Sequence, residues 1–98
     1  MSEAAFKIEV EKVIKLYEEV IGREATRTWP MIEKFGEIEA LSRLVVSPEL
    51  QKGFKVLRDS KQLDKTFEAL VVRFQHLFKP KIVEAAQWRL DNPYELFK

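Results

Sequence analysis

Phe6, Val10, Val13, Tyr17 and Val20 recur at alternating spacings of four and three along the start of the chain. That period places them on one stripe of an α-helix. The opposite side is polar in an ordered way. Glu3, Lys7, Glu11, Lys15, Glu19 and Arg23 stand four apart and alternate in sign. Such positions are neighbours only on a helix, and each pair adds about 0.2–0.5 kcal/mol, so the ladder marks helix and solvent more than it stabilises. The pattern predicts a first helix from about Glu3 to Ile21, with Ser2 as N-cap and Gly22 near its end.

The same reading continues down the chain. After a short polar link, Thr26 or Thr28 caps a second helix with Pro30 in its first turn, burying Met31, Phe35, Ile38, Leu41 and Val45. Gly36 lies in its middle, where it costs about 1 kcal/mol relative to Ala or permits close helix approach. Ser47-Pro48-Glu49 is a start signal of cap, proline and acid, giving a short third helix from about Pro48 to Arg58 with Leu50, Phe54 and Leu57 inward. Asp59 then caps a fourth helix, with Gln62 three residues on completing a capping box. Leu63, Phe67, Leu70, Phe74 and Leu77 form its stripe, Val71 and Phe78 widen it, and Pro80 ends or kinks it. A fifth segment, Lys81 to Leu90, sets Ile82, Val83, Ala86 and Leu90 on one side. Asp91-Asn92-Pro93 reads as a turn, and Tyr94 to Lys98 as a partly apolar tail.

No strand-like alternation, hairpin turn, repeat or low-complexity segment interrupts this series. The expected fold class is all-α: an antiparallel helical bundle of four main helices, with an additional short helix or the C-terminal segment packed across one end. Its 98 residues fit a single domain, residues 1–98.

Composition narrows the chemistry. The chain has no cysteine, which excludes disulfides, thiolate metal sites and cysteine nucleophiles and fits a reducing compartment. The start of the chain lacks a basic n-region and an apolar h-region, so the expected location is cytoplasmic, and no apolar run approaches a membrane span. Charged residues make up 34%, with a net charge of +1. Residues 1–50 hold seven basic against ten acidic side chains, and residues 51–98 ten against six. Such asymmetry suits an acidic partner, although helix surfaces require charge for solvation alone. Lys and Glu are abundant, while Asn occurs once and Met twice, a bias of proteins that work hot. With its Lys/Glu/Val-rich run Ile8-Glu9-Val10-Glu11-Lys12-Val13-Ile14-Lys15, the chain resembles the small uncharacterised helical proteins of hyperthermophilic archaea. The resemblance implies thermostability and transfers no functional residue.

Candidate chemistry is sparse. His76 is the only histidine, and one His without neighbouring ligands makes no zinc site. The acids Glu18, Glu19, Glu33, Glu37 and Glu39 lack the spacing of a calcium loop, and their ordinary role is solvation. There is no Gly-rich phosphate loop, no nucleophile elbow and no acid/base pair. The expectation is a non-enzyme with no metal and no cofactor.

Two surfaces remain. Lys52, Lys55, Lys61, Lys65, Arg73, His76 and Lys79 fall on the outer sides of the expected third and fourth helices, diluted by Asp59, Asp64 and Glu68. Such a basic face suits nucleic acid or another polyanion through counterion release, although a pI near 8.0 is low for a dedicated nucleic-acid domain. The other surface is apolar. Ile8, Leu16, Leu44, Val56 and Val72 miss their helices' stripes. Trp88 lies opposite Ile82, Ala86 and Leu90, and the tail adds Tyr94, Leu96 and Phe97. Trp88, Tyr94, Leu96 and Phe97 are therefore the expected anchors for a protein partner or a second copy. The plainer alternative folds the tail back over Trp88. The leading functional expectation is a protein-interaction or assembly module, with nucleic-acid binding second.

Overall fold

The computed structural model describes residues 3–47 and 52–94. Its elements are all helical: α1 (Glu3–Ile21), α2 (Thr28–Phe35), α3 (Glu37–Val46), α4 (Lys52–Asp59), α5 (Phe67–Arg73) and α6 (Pro80–Asp91), with 3-10 turns at Leu63–Lys65 and Gln75–Leu77.

α1 spans the expected residues and buries Phe6, Val10, Val13 and Ile14. Tyr17 is half-buried and Val20 is exposed, so Ile14 takes the inward place at the C-terminal half. Every member of the charge ladder is exposed, and among the described residues none of its pairs closes. The helix pairs instead through Glu9, which sits 3.9 Å from Lys12 and 3.7 Å from Arg73 of α5. Gly22, at φ +71°, ends α1, and the N–H groups of Gly22 and Arg23 both donate to the Glu18 carbonyl. This left-handed terminus suits glycine.

The expected second helix is two helices. Gly36 adopts φ 81°, ψ 164°, a region open to glycine alone, and the chain turns there between α2 and α3. The apolar period ran through the break because Ile38, Leu41 and Val45 keep their inward side in α3. Neither Thr26 nor Thr28 caps α2; its N-cap is Arg27, without a side-chain cap bond.

Ser47 is extended and closes α3, while Pro48, Glu49 and Leu50 lie outside the described residues, as do Ser2, Leu96 and Phe97. α4 ends at Asp59, which therefore is not the cap of a following helix. The Gln62 N–H donates to the Leu57 carbonyl at 2.8 Å and the Lys61 N–H to that of Arg58 at 3.0 Å. With Lys61 at φ 62°, these are the two bonds of a Schellman terminus.

The expected fourth helix is a 3-10 turn, a seven-residue helix and a second 3-10 turn. Thr66 is the true cap: its hydroxyl accepts from the Ala69 N–H and donates to the Leu63 carbonyl. Phe74, at φ −109°, ψ 35°, ends α5. Pro80 begins α6 rather than bending its predecessor, occupying a first-turn position where its missing N–H costs nothing.

The core gathers on α1, α3, α4, α5 and α6. Phe6 meets Phe74 and Phe78 edge-on, with ring centroids 5.1 and 5.6 Å apart. Leu44, expected outside its stripe, is buried, and Leu16 and Val72 pack half-buried against the same cluster. Among the described residues, no helix is long and apolar enough to cross a membrane.

Candidate functional site

Among the described residues, four buried polar side chains have structural partners. Glu68, expected on the basic face, is buried in the first turn of α5. It receives a 2.8 Å hydrogen bond from Nη1 of Arg89 on α6, with side-chain exposures of 5% and 6%. Nη1 also donates to the Leu44 carbonyl, and Nη2 to that of Ser47, both at 3.1 Å. These carbonyls stand at the C-terminal end of α3, which carries the negative end of its dipole. One guanidinium thus ties α3, α5 and α6 together. Burial pushes the Glu68 carboxyl up from its ordinary pKa, and the Arg89 guanidinium opposes that shift. Neither residue was expected inside. Spacing held the signal for Arg89: it continues the Ile82, Ala86 stripe three residues on.

Arg58 is the third such residue. Its guanidinium bonds Asp59, donates to the Pro93 carbonyl at 3.0 Å and lies 4.5 Å from the Tyr94 ring centre. Thr66, described above, completes the four.

The connection between α1 and α2 is organised by Glu18. Its Oε2 accepts the Ala25 N–H at 2.8 Å and the Trp29 Nε1–H at 2.9 Å. Those two bonds, the backbone one first, hold the carboxylate below its ordinary pKa. Glu18 therefore acts as a loop clamp and not as part of an acidic cluster. Among the described residues, no group of three or more acids and histidines is placed to hold a metal ion.

The expected basic residues occupy separate places. Lys55 is on α4, Lys61 in the turn after it, Lys65 in the first 3-10 turn, Arg73 at the end of α5, His76 in the second 3-10 turn and Lys79 before α6. These six are exposed, and nothing is described of the Lys52 side chain. Arg73 is engaged with Glu9, and His76 lies against Phe74. The helix that was to align them is segmented, so they do not share one helical face.

The apolar surface is more concentrated. Trp88 is 47% exposed and Val46 is 50% exposed. They line a shallow groove of about 280 Å³ with Val45, Ala85 and Arg89, where the end of α3 meets α6. Tyr94 is exposed but rests on Arg58, so the turn after α6 reaches α4. Among the described residues, the other exposed large apolar side chains, Ile8 and Val20, lie on α1.

A larger cavity, about 400 Å³, opens between α1, α4 and the α1–α2 connection. Val13, Ile14, Phe54 and Leu57 line its apolar part, while Arg23, Glu24, Arg27 and the Arg89-paired Glu68 also border it. Burial raises the pKa of the adjoining Tyr17 phenol, and Arg23 partly offsets the rise. Periodicity cannot reveal such a space, because its walls come from elements brought together only by folding. No family model, no curated protein and no solved structure matches this chain.

Proposed function

We propose that this chain is a non-enzymatic assembly module that pairs with a second copy of itself through the α3–α6 seam. The observation that carries the reading is Trp88, a large side chain left half-exposed beside the equally exposed Val46. Tryptophan is the residue type most often found as an energetic anchor of protein contacts. Arg89, one residue on, is locked into three elements, so the seam supporting Trp88 is rigid before any partner arrives.

The polar residues of α6 favour a second copy. Lys81, Glu84, Trp88 and Asp91 are exposed and follow each other at spacings of three, four and three, one stripe of the helix. Two such stripes in antiparallel, two-fold contact set Lys81 of each copy beside Asp91 of the other. The Trp88 rings then cover the seam from both sides. In this reading the frame is an antiparallel bundle, as short connections between helices favour.

Sedimentation equilibrium over a wide concentration range tests the proposal. The wild-type chain is expected to dimerise and Trp88→Glu to remain monomeric. Lys81→Asp should weaken the dimer, and adding Asp91→Lys should restore it. A wild-type chain that stays monomeric at millimolar concentration, or charge swaps without rescue, overturns the proposal.

A further inference from the structure

We infer that the cavity between α1 and α4 is a binding site for a small amphipathic carboxylate, with its apolar chain inside and its head group at Arg23 and Arg27. Size is the first support. Protein interiors rarely leave voids much larger than a water molecule. Here the space is about 400 Å³, within the range of small-molecule sites. At roughly 30 Å³ per heavy atom, the share a water takes in the liquid, it holds about a dozen heavy atoms.

The walls decide what enters. Val13 and Ile14 of α1 are buried, as are Phe54 and Leu57 of α4, so the interior offers apolar contact. Gly53 keeps one side open: a Cβ there would stand 3.9 Å from the Tyr17 ring, so any longer side chain extends over that ring. The reward for entry is removal of an apolar chain from water, about 0.8 kcal/mol for each methylene fully buried.

The border decides the charge. Arg23 and Arg27 are exposed, and neither forms an ion pair among the described residues. The hydrogen bonds of two carboxylates in this region go to other groups. Glu18 clamps Ala25 and Trp29, and Glu68 is held by Arg89. Among the described residues that line the cavity, Arg23 and Arg27 outnumber Glu24, and the Glu68 charge is paired with Arg89. A guanidinium presents paired donors matched to a carboxylate. Tyr17 also lines the cavity and adds a phenol to its wall. A cationic head group would face two like charges.

Decanoate, decanol and decylamine, which share chain length and differ in head group, are the probes. Each is titrated below its aggregation concentration into the full chain and followed by calorimetry and methyl NMR. Decanoate is expected to bind one to one, at least tenfold more tightly than decanol and with decylamine weakest. The methyl signals of Val13, Ile14 and Leu57 should shift. Arg23→Gln with Arg27→Gln, both in an exposed connection, should lower decanoate affinity to that of decanol and leave decanol unchanged. The proposal is overturned if decanoate fails to saturate, if decanol or decylamine equals it, or if the shifts fall at Val46 and the α6 seam. Should the doubly substituted chain not fold, the ranking of the three probes on the wild-type chain still decides.

Discussion

Gly36 holds a backbone conformation of φ 81°, ψ 164°, with no atom within 4 Å of where a Cβ would stand. Space is therefore not the constraint; the dihedral pair is, because an L side chain there meets its own backbone. Gly53 is the converse case. It lies within helix α4, and an added Cβ makes ordinary contact with the Tyr17 ring. Denaturant unfolding of the two alanine variants separates the effects. Gly36→Ala is expected to cost about 1–3 kcal/mol. Gly53→Ala should gain up to about 1 kcal/mol through helix propensity and reduced freedom of the unfolded chain. Equal losses at both sites would show that neither backbone geometry governs stability.

Elements were legible where a long period and a polar ladder agreed. α1 has both, and its bounds follow from the sequence. α2 and α3 share one apolar period, and the only sign of their separation is Gly36, which periodicity treats as a weak position rather than a turn. The segment from Leu63 to Leu77 misleads for a related reason. A 3-10 turn has about three residues per turn, so spacings of three and four stay inward across its junctions with a helix. Leu70 and Phe74 are thus buried as expected although the rod is broken. Charged residues were harder: Glu68 and Arg89 each look like solvated surface until the other is placed beside it. The connection from α1 to α2 likewise depends on bonds invisible in the pattern, donated by the Ala25 and Trp29 N–H groups to Glu18. Its carboxylate titrates below the ordinary value of 4.5 when folded. The stabilisation it gives is therefore complete above that value and lost as pH falls through the lower folded value. Glu18→Gln keeps an acceptor oxygen but has no charge to titrate. Stability measured at pH 7 and pH 3 should fall less for this variant than for the wild-type chain, and an equal fall would remove the clamp from the account.

Across the whole molecule, the bond between Glu68 and Arg89 links secondary structure formed far apart in sequence. Two charges taken from water cost several kcal/mol each, and their attraction returns that cost only with good geometry and satisfied neighbours. Here the guanidinium also serves two carbonyls at the end of α3, so pair and cap can be told apart by substitution. Arg89→Met removes both and leaves a buried carboxylate alone, expected to cost about 3–5 kcal/mol at pH 7. That is a large share of the roughly 5–15 kcal/mol typical of a domain this size. Glu68→Met added to Arg89→Met removes the stranded charge. The double variant should therefore be more stable than Arg89→Met, yet still below wild type by the lost bonds from Arg89 to the Leu44 and Ser47 carbonyls, about 1.5–3 kcal/mol each for a charged donor. The pH dependence supplies a second reading. Without Arg89 burial is opposed only by a backbone hydrogen bond at Glu68, the smallest of the lowering influences, so the folded pKa stands above the unfolded value. The penalty in Arg89→Met is then smallest below about pH 4.5, where the carboxyl is protonated in both states, and grows as pH rises through the raised value. Urea titrations of the three variants across that range check both points. A double variant no more stable than Arg89→Met, with the same pH profile, would mean that the carbonyl caps alone hold α3 to α6 and that Glu68 contributes nothing to the junction.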